Sequence, residues 1–391
     1  MKQGWEIKQL GEVCNLTGGG TPSKKIEEYY DGNILWATIR DMNEDILYAT
    51  EHKITQIGLD NSSSNIIPKD NVIIATRVGL GKVCFLLNDT AINQDLKGII
   101  PKNEDEIFNM FLFWWFKNTS EQIVKAGTGA TVQGVKISFI QSLQFPLPPL
   151  DEQKRIVAKL DECFDAIDKA RANVEKNLNN AKELFQSQLN QIFSQKGDGW
   201  VEKKLGEVCS VTSKLIDPKQ PEYLNLLHIG GGNIVAETGE LVGLKTSKDE
   251  KLKSGKFSFD DSMVLYNKIR PYLIKVVRPS FKGLCSADMY PLSPNTDEIS
   301  RDYLYFLLVS KKFTDYAISG SARSGMPKVN RKHLFEFQCS FPSKYEQNNI
   351  IEQLDALKSQ TQSLESNYQQ ELAALDELKK SILQKAFMGE L

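Results

Sequence analysis

Residues 4–14 read GWEIKQLGEVC and residues 199–209 read GWVEKKLGEVC, so eight of eleven positions agree at an offset of 195. A match of that density at a fixed period marks an internal repeat, and the repeat governs the architecture before any motif does. The echo continues. Arg77, Leu80, Lys82, Val83 and Asp95 return as Arg270, Leu273, Lys275, Val276 and Asp288. Glu152-Gln153, Ile156 and Leu160-Asp161 return as Glu346-Gln347, Ile350 and Leu354-Asp355. Glu183, Leu184, Ser187, Leu189 and Phe193 match Glu377, Leu378, Ser381, Leu383 and Phe387. The chain is one unit written twice, each copy a globule followed by a helical segment.

The helical segments are legible from spacing. Residues 151–195 contain neither Pro nor Gly, and Leu160, Phe164, Ile167, Val174, Leu178, Ala181, Phe185 and Ile192 recur at near-heptad intervals, with Arg171 and Gln188 interrupting. Leu354, Leu357, Thr361, Leu364, Tyr368, Leu375, Leu378 and Ile382 do the same, interrupted by Glu371 and Lys385. A helix of this length is roughly 67 Å long, more than a globule of this size needs to cover its own core. Its narrow apolar stripe therefore expects a partner, most simply the other helix, run antiparallel so that the repeat acquires a pseudo-twofold. Gly197-Asp198-Gly199 ends the first helix, and Ser343-Lys344-Tyr345-Glu346 has capping-box spacing at the start of the second. The expected order is a globule at 1–150, a helix and linker at 151–198, a globule at 199–344 and a helix at 345–391. The globules read as α+β. Strands are expected at 71–76 and 262–266, and buried helices at 107–116 and 303–309.

Composition excludes several classes. With 391 residues, 41% hydrophobic, 25% charged, 26 Gly and 14 Pro, the chain is neither disordered nor fibrous and is too long for one core. The longest apolar run, FNMFLFWWF at 108–116, is about half a membrane span, and the start MKQGWEIK lacks a signal-peptide core, so a cytoplasmic protein away from membranes is expected. The six cysteines form no CxxC pair, which argues against a zinc knuckle or disulfide framework and for reduced thiols. His52, His228 and His333 stand alone rather than in a ligand cluster. The runs Gly18-Gly19-Gly20 and Gly230-Gly231-Gly232 complete no phosphate-binding pattern, so ATP, NAD and S-adenosylmethionine sites are unsupported. Asp151 and Glu152 sit where acids favour a helix dipole, not where two strands bring nuclease ligands together. The reading is a binder without catalytic or metal residues.

Charge is uneven. The net charge is −2 overall, yet −3 for residues 1–150, −1 for 151–198, +6 for 199–344 and −4 for 345–391. Duplicated globules related by a pseudo-twofold suit duplex DNA, whose own local twofold allows two half-sites separated by a gap. In the second globule Lys245, Lys248, Lys251, Lys253 and Lys256 form a run, and Asn267, Lys268, Arg270 and Tyr272 place donors beside an aromatic. In the first, Thr21, Ser23, Lys24, Lys25, Arg40, Arg77 and Lys82 are the DNA-binding candidates. Such residues supply phosphate contacts for affinity and base contacts for choice. Trp36, Trp114 and Trp115 are read as core rather than base-stacking platforms.

The motifs TGGGTPSK at 17–24, INQD at 92–95, FPLPPLDEQ at 145–153 and KAFMGEL at 385–391 resemble, together and in this order, the specificity subunits of bacterial type I restriction-modification systems. The second copy departs from the pattern, with FPSKYEQ at 341–347 in place of the PLPP run. The resemblance implies two target-recognition domains reading a split site in double-stranded DNA. It also implies a helix pair that sets the gap and docks two modification (methyltransferase) subunits, to which restriction subunits add. Adenine methylation with S-adenosylmethionine and cleavage driven by ATP with Mg would then belong to the partners, with no cofactor in this chain. The rival readings are a self-contained DNA methyltransferase or nuclease and a coiled-coil protein scaffold.

If the helices act as a ruler, inserting four residues near Val174 and four near Tyr368 adds about 6 Å along the pair. With a rise of about 3.4 Å per base pair, mapping of methylated sites should show a gap longer by one or two pairs and both half-sites unchanged. An unaltered gap would remove the ruler.

Overall fold

The computed structural model describes residues 4–128, 134–195, 197–321 and 326–391. The chain divides into two compact units, one formed by Met1–Val174 with Gln370–Leu391 and the other by Glu175–Gln369. Each long helix, Leu150–Ser194 and Lys344–Met388, contributes to both.

In the first unit a five-stranded sheet has the order Cys14–Gly18, Leu96–Pro101, Val72–Ala75, Val83–Leu86, Ile46–Leu47. Its two central strands are apolar at every position because both faces are covered, and the period of two sorts the side chains between two cores. Val72, Ile74, Val83 and Phe85 join the cluster containing Phe111 and Trp115 of helix Asn109–Lys125. Ile73, Ala75, Cys84 and Leu86 face the opposite way, with Ala37, Ile67 and Ile92 of a second, four-stranded sheet. That sheet has the order His52–Ile54, Tyr30–Ala37, Thr90–Ile92, Asn65–Ile67, with Tyr30–Ala37 and Thr90–Ile92 parallel.

The second unit repeats the plan with local changes. Its four-stranded sheet runs Cys209–Ser210, Met289–Pro294, Val264–Asn267, Val276–Val277. Val264, Tyr266 and Val276 join the core of helix Arg301–Val309, while Leu265 and Val277 face the other sheet. The expected strands and apolar helices are present, the first helix starting two residues later than the expected 107 and extending to Lys125. Of the expected capping box, the Glu346 N–H donates to the Ser343 hydroxyl at 3.3 Å, while the Glu346 carboxylate accepts the Trp200 indole N–H at 3.0 Å.

The long helices serve the globules as well as each other. In the first unit Phe164 packs on Trp114 with centroids 4.9 Å apart, and Phe387, from the far end of the other helix, packs on Phe111 at 5.0 Å. In the second, Phe193 meets Tyr303 at 5.2 Å and Phe185 meets Phe306 at 6.3 Å. Antiparallel pairing is explicit within the first unit. Arg155 donates to the Leu391 carbonyl at 2.6 Å, Asp168 meets Lys379 at 3.2 Å and Arg171 clasps Asp376 at 3.0 Å, so partner numbers fall as helix numbers rise.

Leu160, Phe164, Ile167, Val174 and Leu354 are buried, and Leu178, Phe185, Leu357, Tyr368, Leu375 and Ile382 are half-buried. Two assignments need correction. Leu364 and Leu378 are 40% and 46% exposed and lie outside the stripe. A straight helix drifts about 20° per heptad, which carries a strict seven-residue register off the contact face.

A buried glutamine locks each helix start to its globule. Gln153, fully buried, accepts the Phe108 N–H at 2.9 Å and donates to the carbonyls of Glu106 and Pro148 at 2.7 and 2.8 Å. Gln347 repeats this with the Ser300 N–H at 3.0 Å and the carbonyls of Glu298 and Pro342 at 2.9 and 3.1 Å. Gln153→Leu strands three buried backbone groups and should cost about 2–5 kcal/mol. Hydrogen exchange should show the loss in the first unit, and Gln347→Leu should show it in the second.

Candidate nucleic-acid interface

In each globule two adjacent strands of the sheet against the apolar helix, Val72–Ala75 with Val83–Leu86 and Val264–Asn267 with Val276–Val277, are joined by a loop that closes over one aspartate. In the first, Thr76 donates its backbone N–H to the Asp95 carbonyl at 2.9 Å, and Arg77 holds the Asp95 carboxylate at 3.8 Å. Asn93 and Gln94 donate to the same carboxylate at 3.2 and 3.4 Å, and the Thr21 hydroxyl donates to Gln94 Oε1 at 2.5 Å. Thr21, Lys24 and Arg40 thereby share the wall of a cleft of about 630 Å³ with Trp36, His52 and the Asn-Gln-Asp run.

Three of the seven first-globule candidates thus line one cleft, and Arg77 is tied to it through Asp95. Lys82 lies apart, lining a depression of about 570 Å³ with Lys117 and Lys125. Ser23 and Lys25 are exposed on the preceding turn. Trp36 is buried with its indole donating to the Gly20 carbonyl at 3.2 Å, and Trp114 and Trp115 are core residues. The glycine run is a packing device. A Cβ at Gly19 would lie 2.1 Å from the Ile92 carbonyl oxygen, so the backbone can cross the strand there only as glycine.

The second globule uses the same aspartate differently. Lys268 stands where the first globule has Thr76, donating its N–H to the Asp288 carbonyl at 3.1 Å. Its ammonium turns inward, bonding the Ala287 carbonyl at 2.5 Å and lying 5.2 Å above the Tyr290 ring. Burial, reinforced by Lys328, draws its pKa below the ordinary lysine value. Asn267 is buried and donates to the Ile269 carbonyl at 3.3 Å. Lys256 is buried on Ser254, at 2.9 Å to the carbonyl and 2.7 Å to the hydroxyl, and burial lowers its pKa too.

These three candidates are therefore corrected to internal supports, because their polar groups are spent inside the fold. Lys245, Lys248, Lys251, Lys253, Arg270 and Tyr272 are exposed. Lys245 pairs with His228 in the five-stranded sheet, whereas Arg270 and Tyr272 belong to the loop of the other sheet, so the run and the loop are separate features. Sequence reading missed Asn93, Gln94 and Asp95 as cleft walls, and missed Lys328, which meets Asp288 at 3.8 Å, and Arg331, which stacks over Tyr290 at 5.8 Å. The first three were visible as a motif. The last two lie outside the repeat echoes and offered no signal.

The lysine run is anchored by His228, whose Nδ1 pairs with Glu250 at 2.8 Å. Its buried Nε2 has no partner among the described residues, so protonation would leave a buried donor unsatisfied. Burial accordingly lowers the His228 pKa from its ordinary 6.5, with Glu250 opposing and Lys256 adding to the shift. The unfolded chain then takes up the proton first as pH falls. The stabilisation is complete above pH 6.5 and is lost from there down to the depressed value. Thermal unfolding followed from pH 7.5 to 5 should show the second unit weakening below pH 6.5, and His228→Gln should flatten that part of the profile.

Among the described residues no group of three or more His, Cys, Asp or Glu is placed to hold a metal, and no helix is long and apolar enough to cross a membrane. The model of the type I restriction modification DNA specificity domain matches twice, at residues 2–177 and 197–374. The EcoDI type I restriction enzyme specificity subunit of Escherichia coli is 29% identical over 420 residues, covering 99% of this chain and 88% of that one. The EcoR124I/EcoR124II specificity subunit of Escherichia coli is 33% identical over 169 residues, 41% of each chain. Two solved structures share the fold at 21% identity. One is a chain from a study of assembly and conformational transition in a type I R-M system, with a TM-score of 0.79 and coverage of 100% and 99%. The other is the HsdS subunit from Thermoanaerobacter tengcongensis, with a TM-score of 0.65 and coverage of 100% and 98%. The chain, carrying two copies of the specificity domain, belongs to the family of type I restriction-modification specificity subunits.

Proposed function

We propose that each globule reads one half of a split duplex DNA target and that the chain delivers this choice to modification and restriction subunits bound to it. The observation that carries the reading is the duplication itself. Two loops of the same descent, each closed over an equivalent aspartate, stand in two separately packed units, so each can have its own sequence preference. Phosphate contacts fall to exposed cations such as Lys24, Arg40, Lys245, Lys248, Lys251 and Lys253, and choice to groups that reach base edges. The chain has no chemistry of its own in this reading. Two modification subunits carry S-adenosylmethionine and methylate adenine, and restriction subunits cleave with ATP and Mg, all in the cytoplasm.

Replacing 199–344 with the matching segment of a relative should change one half-site and leave the other, as read by mapping methylated adenines genome-wide in cells carrying the chain with its modification partners. A swap that altered both halves would show that reading is shared between the globules. A footprint absent at physiological salt would favour the scaffold reading, and methyl transfer or cleavage by the isolated chain, lost on substitution within it, would favour an enzyme.

A further inference from the structure

At the corner where each globule closes over its aspartate, cations outnumber the carboxylate. In the first globule Asp95 meets Arg77 at 3.8 Å and shares its surroundings with Lys97, two residues further on in strand Leu96–Pro101. Lys97 is half-buried, with its ammonium 3.1 Å from the place a Cβ would take on Gly18 of the adjoining strand. That ammonium has no hydrogen-bond partner among the described residues. Burial draws its pKa below the ordinary lysine value and the Arg77 charge lowers it further, with Asp95 opposing. In the second globule Asp288 meets Lys268 at 3.6 Å and Lys328 at 3.8 Å, and Arg331 stands over the Tyr290 ring at 5.8 Å. There Lys328 and Arg331 add to burial in holding the Lys268 pKa down.

The two corners reach this surplus with different residues. Thr76 and Lys268 hold the same place, each donating its N–H to the aspartate carbonyl, while Lys97 and Tyr290 each follow their aspartate by two. The partly buried lysine therefore comes from the strand after the aspartate in the first globule and from the end of the neighbouring strand in the second. The cation on the carboxylate changes origin as well. Val135 and Val329 donate their N–H groups to the carbonyls of Thr76 and Lys268, both at 2.9 Å. The residue before that valine is Gly134 in the first globule, where the Arg77 Cγ lies 3.8 Å from the place of a Cβ, and Lys328 in the second. Arg270, which echoes Arg77 in sequence, is not among the ion pairs of Asp288. One cation suffices to balance an aspartate, and a second beside it adds like-charge repulsion. A surplus rebuilt from other residues in each copy suits an anion that comes from outside the fold.

We propose that each aspartate corner seats one phosphate of the DNA backbone, held by Arg77 and Lys97 in the first globule and by Lys328 and Arg331 in the second. The inference rests on the DNA-specificity reading above, and the duplication supplies one seat per half-site. The aspartate orients the cations, and Lys268, whose own bonds are spent inside the fold, adds its charge from beneath. A phosphodiester brings one negative charge and two free oxygens, so it offsets the surplus and gives the Lys97 ammonium an acceptor. Such a seat fixes the register of each globule on the duplex without choosing a base.

The test uses the full chain and a duplex it selects from a library randomised at both half-sites. Each backbone phosphate of that duplex is replaced in turn by a methylphosphonate, which removes one charge and leaves every base in place. Where a charge-assisted contact is lost, the unaltered chain should bind about tenfold more weakly. In Lys97→Met one such replacement, in one half-site, should cease to matter while the others keep their effect. Base preferences should stay, and the slope of log affinity against log salt should fall by about one. The melting temperature should hold or rise, since a crowded, half-buried charge is gone. Lys97→Arg should keep the phosphate contact. Lys328→Met should silence one replacement in the opposite half-site. If Lys97→Met and Lys328→Met, both folded, leave every methylphosphonate effect intact, the corners are internal braces and the inference falls while the split-site reading stands. Failure of the unaltered chain to select any sequence would overturn both.

Discussion

Everything in this molecule hangs on how a long helix is welded to a globule. Gln153 and Gln347 do this by satisfying one backbone donor and two backbone acceptors from two different loops, in a place that water does not reach. A buried amide with three partners is directional, unlike apolar packing, so it sets the angle and register at which each helix leaves. The proline-rich run at 145–153 and its altered counterpart at 341–347 differ in sequence, yet both keep this glutamine. Keeping this one residue and its three bonds lets the second helix start tolerate its changed approach.

The same economy is visible at the aspartates. Asp95 is held by Asn93, Gln94 and Arg77, whereas Asp288 sits among Lys268 and Lys328. One negative charge at an equivalent place thus orders two different sets of donors. In the second globule the nearest lysine is drawn so far inward that it supports the loop instead of facing outward. Total charge is a poor guide to such a surface. The first globule is net acidic, yet Lys24 and Arg40 are gathered in one cleft by the fold.

The repeat, the order of globules and helices, the two paired helices and the apolar central strands were all legible in the sequence, because each depends on local periodicity or on direct self-similarity. The family was legible as well, through motifs whose order spans the chain. Less legible was the use of single polar residues. Lys256, Asn267 and Lys268 have the composition of a binding surface, and only the packed structure shows their polar groups turned to Ser254, Ile269 and Ala287. Leu364 and Leu378 fit a heptad on paper, but a helix that also covers a globule follows the globule's surface.

The sequence by itself determined what repeats, which stretches are helix or strand and which faces are apolar, since these follow from the chemistry of near neighbours along the chain. Only the tertiary structure decided which far end of a helix completes which core, as Phe387 does against Phe111 and Phe193 against Tyr303. It also decided that Ile274 takes a positive φ at the repeat position of Gly81, and which cations remain exposed. The physical reason is that burial, strain and desolvation are set within each unit by residues a hundred or more positions away along the chain, as Phe387 is from Phe111, and no local pattern encodes that distance.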